Sequence, residues 1–274
     1  MVVMYRLPPA WLKLFTCASL ASALALSAAC TRDAPVATPG TLQYTEEARA
    51  AYDKAMRSFH NRDWEEAEKL FKKVRKDYAQ SHYARLAELR MADIMFERDQ
   101  LPEAITAYKT FTQTRRLDPG IPYAQYRVCR ALFMQISDTV VLPPQEERDL
   151  MPTIDTYNEL LRFKKDNPTS DWDEEIDYML LDVSGRLARH ELYVARFYLR
   201  RGNFEAAAAR ARFAIQTYRS SGLEPEALVL LGETYLKMKK RHEARETFEL
   251  LLSAFPASPF VVPARSFLDE ISTQ

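Results

Sequence analysis

Residues 61–71 read NRDWEEAEKLF, and this stretch decides the fold because its pattern returns along the chain. A polar turn is followed by an amphipathic helix in which a small residue, Ala67, stands one turn before an aromatic residue, Phe71. Equivalent small residues occur at Ala104, Ala207 and Ala244. The intervals from Ala67 to Ala104 and from Ala207 to Ala244 are both 37 residues. Self-similarity at such a period predicts stacked helix-turn-helix units.

These units are similar to tetratricopeptide repeats, which have a period of about 34 residues. A small residue lets two helices cross closely, and bulky neighbours fill the grooves beside it. We therefore predict an all-α tetratricopeptide-repeat solenoid of about five helix-turn-helix units. The third unit departs most from this pattern, because Thr153 occupies the crossing position where the other units have alanine. Residues Glu174–Arg201 predict one helix of about 28 residues that joins the N-terminal and C-terminal repeats.

The N-terminus has the features of a bacterial lipoprotein signal. An apolar run, Leu14–Leu26, is followed by small residues and then by Cys30, where a diacylglycerol can be attached. The run is shorter than the roughly 20 residues that span a bilayer. Conventional cleavage without lipid attachment stays open, because Ser27 stands where the lipoprotein pattern usually has a large apolar residue. Thr31 after the cysteine favours delivery to the outer membrane.

Four segments follow from these patterns. Residues 1–29 are predicted to be a lipoprotein signal peptide, and residues 30–43 the lipidated cysteine with a flexible tether. Residues 44–170 are predicted to hold repeats one to three, and residues 171–274 repeats four and five with the long connecting helix. Within repeat three, Val141–Arg148 is interpreted as an insertion in a turn.

Composition and spacing exclude several classes of function. Without residues 1–29 the chain has 36 basic and 38 acidic side chains, so it lacks the basic excess that nucleic-acid binding requires. Cys129 would be the one remaining free thiol, and we interpret it as a small core residue. The four histidines lack metal-ligand spacing, and the six glycines form no phosphate loop. We expect no cofactor, no metal and no enzymatic activity, and interpret the chain as a protein-binding scaffold.

An aromatic-rich stretch in the N-terminal half is a candidate peptide groove. The candidate residues are Tyr83, Phe96, Tyr123, Tyr126 and Phe133. Core packing is the competing interpretation for most of them, because repeat helices bury most of their aromatic side chains.

Residues 186–204 read RLARHELYVARFYLRRGNF, which resembles the long helix and following turn of the BamD family of outer-membrane protein assembly factors. Residues 117–126, LDPGIPYAQY, resemble that family's proline-bearing entry to the third repeat. The resemblance implies five tetratricopeptide repeats on a palmitoylated lipoprotein, held by its lipid at the periplasmic face of the outer membrane. There it would promote the folding and insertion of outer-membrane proteins.

The resemblance also implies partners. C-terminal repeats would bind the periplasmic domains of the barrel protein BamA, with other assembly-machinery lipoproteins nearby, and N-terminal repeats would bind unfolded β-barrel proteins. Matching positions place the BamA-facing surface at Glu191, Tyr198, Arg201 and Arg210. Packing within the repeat stack is the alternative role for Glu191 and Tyr198. Rival functions are a pilus-assembly pilotin, a Tol-Pal-associated coordinator of cell division, or an enzyme on a helical scaffold.

Overall fold

The computed structural model describes residues 39–136, 149–219 and 221–273. Over these residues the chain forms eleven helices and no strand, which confirms the all-α prediction. The helices are α1 Pro39–His60, α2 Trp64–Asp77, α3 His82–Glu97, α4 Leu101–Thr114, α5 Ile121–Gln135, α6 Met151–Asp166, α7 Asp173–Arg200, α8 Phe204–Thr217, α9 Glu224–Lys237, α10 Arg241–Ala254 and α11 Val261–Thr273.

Ten of these helices form the five predicted hairpins, from α1–α2 to α9–α10. Helices α1 and α2 share one hydrophobic cluster, and each later helix packs mainly on its neighbours in the chain. The eleventh, α11, was not predicted, and it packs on α10 and α9. Three predicted features, the signal peptide, Cys30 and the insertion Val141–Arg148, lie outside the described residues. Helix α1 begins at Pro39, so residues 39–43 are helical although we predicted them as part of the tether.

The turns of the first, second, fourth and fifth hairpins, which lie within the described residues, share one backbone geometry. Arg62, Asp99, Gly202 and Lys239 occupy equivalent positions and have φ angles of 58°, 60°, 76° and 61°. Left-handed backbone at this point ends the first helix of the pair, and it suits glycine better than the other three residue types. The following helix is capped by a side chain where the sequence offers one, as when Asp63 accepts a hydrogen bond from the Glu66 amide at 3.2 Å.

The hydrophobic core is a series of clusters, each shared by consecutive helices. Ala67 and Phe71 pack with residues of α1 and α3, whereas Ala104 and Tyr108 pack between α3 and α5. In the fifth hairpin Phe248 lies against Gly232, where an added Cβ would overlap the aromatic ring. The predicted crossing positions are therefore the positions where the helices meet.

Helix α7 has 28 residues, as predicted, and its bounds differ from the prediction by one residue at each end. Its first half packs in a cluster with α5 and α6 through Ile176, Met179 and Val183. Its second half packs with α8 and α9 through Leu192 and Ala195. One continuous helix therefore serves the cores of both the third and the fourth repeats.

Candidate protein-interaction site

A buried carboxylate organises the N-terminal repeats. Asp93 on α3 is 2% exposed, and it accepts hydrogen bonds from the hydroxyls of Tyr108 and, at 2.8 Å, Tyr123. Arg90 forms an ion pair with it at 2.5 Å, and the Nε of Arg127 lies 3.5 Å away. We call these five residues the Asp93 cluster. The carboxylate, both guanidinium groups and both hydroxyls have a partner within the cluster, as buried ionised groups require, and the Nε of Arg90 is its one buried polar atom without a hydrogen bond among the described residues.

Helical spacing explains how the cluster forms. Arg90 and Asp93 are three residues apart on α3, and Tyr123 and Arg127 are four apart on α5, so each pair projects from one side of its helix. Tyr108 reaches the same point from α4, and its hydroxyl also accepts a hydrogen bond from the Arg127 Nε at 3.1 Å. Three helices thus converge on one carboxylate.

Raised pKa values keep the hydroxyls of Tyr108 and Tyr123 protonated. Burial, followed by the negative charge of Asp93, raises the pKa of Tyr123 to about 12. The same two causes raise the pKa of Tyr108 well above its usual range. Both hydroxyls therefore remain protonated and can donate to the carboxylate at any physiological pH.

Two of the predicted groove residues are largely buried. Phe96 is 7% exposed, and the guanidinium of Arg127 covers its ring at 3.8 Å from the centroid. Tyr126 is 4% exposed and stacks on Trp172 with a centroid distance of 5.0 Å and an interplanar angle of 12°. These rings offer little free surface, so their contribution is mainly to hold the helices and the arginines in place.

Partly exposed rings lie beside them along α1, α3, α5 and the start of α7, a surface that we call the odd-helix face. Tyr83 contacts Tyr52 with ring centroids 5.6 Å apart, and Tyr52 lies near enough to Arg90 for the hydroxyl and the guanidinium to interact electrostatically. Tyr123 lies 6.0 Å from the ring of Trp172. Of the predicted groove residues, Tyr123 therefore belongs to the Asp93 cluster and Tyr83 lies beside it. The prediction did not include the two arginines of the cluster.

Trp172 and Glu175 attach the start of α7 to this face. The Tyr126 hydroxyl donates to Glu175 at 2.5 Å, and Arg130 lies 3.6 Å from the same carboxylate. Phe133, the last predicted aromatic, contacts Tyr178 of α7 with ring centroids 6.4 Å apart. Trp172 was missed in the sequence because it lies in a loop, outside any amphipathic pattern.

The predicted partner-facing residues form two separate groups in the C-terminal repeats. Glu191 on α7 is 7% exposed and pairs with Arg210 on α8, whose Nη1 lies 3.1 Å and 3.5 Å from the two carboxylate oxygens. The side chain of Arg210 is 46% exposed. A buried carboxylate thus holds an exposed guanidinium in a fixed orientation, which leaves other N–H groups of Arg210 available to a partner.

Phe197 links the other two predicted residues. Phe197 is 41% exposed, and the guanidinium of Arg201 lies 5.0 Å from the centroid of its ring. The ring of Tyr198 is nearly perpendicular to it, with centroids 5.7 Å apart. Phe197 was not predicted, although it lies inside the segment used for recognition. The group presents an aromatic ring and a cation side by side, a combination that is enriched in protein interfaces.

The described residues show neither an accessible thiol nor a metal site. Cys129 is fully buried, and burial raises the pKa of its thiol to about 12, as expected for the predicted core residue. No group of His, Cys, Asp or Glu in the described ranges could hold a metal ion. Among the described helices, none combines the length and apolar character needed to cross a bilayer.

Comparison with known proteins gives the family. The profile of the outer membrane lipoprotein family YfiO matches residues 45–250, which is well over half of the chain. BamD of Neisseria gonorrhoeae, an outer membrane protein assembly factor, is 26% identical over 78% of this chain and 81% of its own length. The chain belongs to the BamD family. Membership of this family indicates that the protein is associated with the outer membrane and has a role in outer-membrane protein assembly.

A second BamD relative, from Xylella fastidiosa strain 9a5c, is also 26% identical, over 77% of this chain and 73% of its own length. Among solved structures, the TPR2AB-domain:pHSP90 complex of yeast Sti1 aligns with 83% of this chain and 90% of that chain. The sequence identity of that alignment is 13%, and its TM-score is 0.44.

Proposed function

We propose that this BamD-family protein is a non-catalytic lipoprotein scaffold, anchored through Cys30 at the periplasmic face of the outer membrane. Its C-terminal repeats bind the periplasmic domains of BamA, and its N-terminal repeats bind unfolded β-barrel proteins. Other lipoproteins of the assembly machinery are further partners. Family membership supports the setting, and the odd-helix face and the Arg210 pair are the candidate surfaces for these partners.

The orientation of Arg210 is the observation that carries the proposal for BamA. A guanidinium that is already fixed by Glu191 loses little side-chain entropy when a partner carboxylate binds it. The separate group near the end of α7, in which the guanidinium of Arg201 lies 5.0 Å from the ring centroid of Phe197, is a second candidate contact. An arginine and an aromatic ring are the residue types that contribute most to specific protein interfaces.

The odd-helix face supports the proposal for substrates. Partly exposed rings of Tyr52, Tyr83, Tyr123 and Trp172 accompany the two arginines of the Asp93 cluster. Such a face offers partly exposed aromatic rings, some with hydroxyl groups, and these can contact the apolar side chains of an extended segment of a β-barrel protein. The buried pairs keep this face in one arrangement before any ligand arrives.

Charge reversal at Arg210 tests the BamA proposal. Arg210→Glu places two carboxylates next to each other and removes the guanidinium, so we expect the affinity for purified BamA periplasmic domains to fall at least about 30-fold. Arg162→Glu is the matched control, because Arg162 is an exposed arginine on α6 that pairs with Glu159 at 3.2 Å. Equal affinity of the two variants, at unchanged helical content by circular dichroism, would remove Arg210 from the interface.

A further inference from the structure

The turn between α9 and α10 concentrates positive charge. Residues 237–242 read KMKKRH, and the side chains of Lys237, Lys239, Lys240 and Arg241 are all exposed. We call these four residues the fifth-turn basic patch. None of them was singled out as a candidate site residue, and the proposed Arg210 contact does not use them.

The backbone holds this patch in a defined shape. The amide of Lys239 donates to the Leu236 carbonyl at 3.0 Å, and the amide of Lys240 donates to the Tyr235 carbonyl at 2.9 Å. Lys239 itself is in the left-handed region with a φ of 61°. The cations therefore project from a tight turn, so a binding surface can recognise their spacing as well as their charge.

The charge of the lysines is not neutralised within the described part of the chain. No carboxylate there lies within salt-bridge distance of Lys237, Lys239 or Lys240, and the adjacent His242 pairs with Glu246 instead. Charge is also segregated along the sequence. Residues 196–245 contain eleven Lys and Arg against five Asp and Glu, whereas the whole chain has 38 of each. Clustered like charges repel one another and attract an oppositely charged surface.

The patch lies next to the Phe197 and Arg201 group of the proposed BamA-binding surface, because Leu199 and Met238, beside the two turns, pack on the same cluster. Helices α7 and α9 pack together, and each ends at a turn of its hairpin, with Arg200 and Arg201 in the fourth turn and the lysines in the fifth. Phe197, with its 41% exposed ring, precedes the fourth turn. This proximity favours carboxylates of the same protein partner over the phosphates of a lipid surface.

We propose that the fifth-turn basic patch is a second docking element, which recognises an acidic area on the periplasmic domains of BamA. The inference rests on the proposed function and adds to it the location and charge of a contact beyond Arg210. The lysines act mainly by long-range attraction, so they increase the association rate and make binding dependent on salt.

The test compares two double charge reversals in the full-length, detergent-solubilised protein. Lys237→Glu/Lys240→Glu alters the patch. Lys73→Glu/Lys76→Glu is the matched control, because these are two exposed lysines near the C-terminal end of α2, where the described residues show no salt bridge to them either. Purified BamA periplasmic domains are the probe. We expect the patch variant to bind about tenfold more weakly at about 50 mM salt and about twofold more weakly at about 500 mM, with the control within twofold.

Each outcome gives a decision. Equal affinities of the patch variant and the control overturn the inference; if Arg210→Glu still weakens binding, the proposed function stands without it. If neither Arg210→Glu nor the patch variant changes affinity, the proposed BamA contact itself fails. The last measurement is binding to vesicles rich in phosphatidylglycerol. A patch variant that loses vesicle binding and keeps full affinity for BamA domains overturns the inference in favour of a lipid-binding role.

Discussion

The Asp93 cluster and the fifth-turn basic patch use charge in opposite ways. In the cluster, two arginines lie within 3.5 Å of one buried carboxylate and belong to the packing of three helices. In the patch, lysines of a single turn point into solvent without a described acidic partner. Buried and paired charges define the position of neighbouring side chains, whereas exposed and unpaired charges are available to another molecule.

The cluster and the patch therefore have different roles in the protein. The cluster fixes the side chains of the odd-helix face, which we propose as the substrate-binding surface, and its desolvation cost is offset by hydrogen bonds inside the fold. The three lysines of the patch make no salt bridge within the described residues, and we propose that they act in association. Mutations in the cluster should therefore change stability strongly, and mutations in the patch should change stability slightly.

Removing the central charge gives the largest expected effect. Asp93→Asn leaves Arg90 and Arg127 without their shared carboxylate, so the free energy of unfolding in urea should fall by about 3–5 kcal/mol. Asp53→Asn is the control, because Asp53 pairs with Arg49 at 3.8 Å and its side chain is 54% exposed. That variant should change stability by less than about 0.5 kcal/mol. Similar losses in both would contradict a special role for the cluster.

Alkaline pH gives the next largest effect. Tyr123 titrates near 10 when unfolded, and its pKa is raised to about 12 in the fold. Between these values the unfolded chain loses the proton first, so stability falls as the pH rises from 10 to 12, by about 2 kcal/mol for this residue. Tyr123→Phe should show a correspondingly smaller fall in urea titrations across this range. Below pH 9 the slopes of both proteins should agree, and a difference there would point to another cause.

The smallest effect concerns the backbone of the turns. Lys239→Gly relieves the left-handed strain, so it should stabilise the protein by about 0.5–1 kcal/mol, whereas Gly202→Ala at the equivalent position should destabilise it by about 1 kcal/mol. Lys237→Gly, in the last turn of α9, is the control and should destabilise. Thermal unfolding measures all three. A stabilised Lys239→Gly variant would show that this lysine is kept at a cost to the fold, whereas a destabilised one would show that it supports the turn.

The repeat architecture was accessible from the sequence because it rests on local periodicity. The long helix was predicted as Glu174–Arg201 and observed as Asp173–Arg200, since its apolar spacing has no break. Helix α11 was missed, because the repeat pattern that guided the prediction ends with α10. Its buried residues, Val261, Ala264 and Ile271, nevertheless follow helical spacing.

The candidate site was less accessible because it depends on contacts between helices. Asp93 lies among apolar residues of α3, and nothing local indicates that Tyr108 and Arg127 meet it from two other helices. Aromatic content identified Tyr123, yet it could not distinguish that partly exposed ring from the buried rings of Phe96 and Tyr126. Glu191 and Arg210 were selected by resemblance, and their direct pairing emerged only in three dimensions.

Helix α7 also sets the distance between the two proposed binding surfaces. Glu175 at its start belongs to the odd-helix face and Glu191 to the Arg210 contact, so the two lie about 24 Å apart along the axis at the standard rise per residue. One inserted residue would turn everything beyond it by about 100° and displace every later core position. The helix can therefore exchange side chains in evolution far more readily than it can change its length.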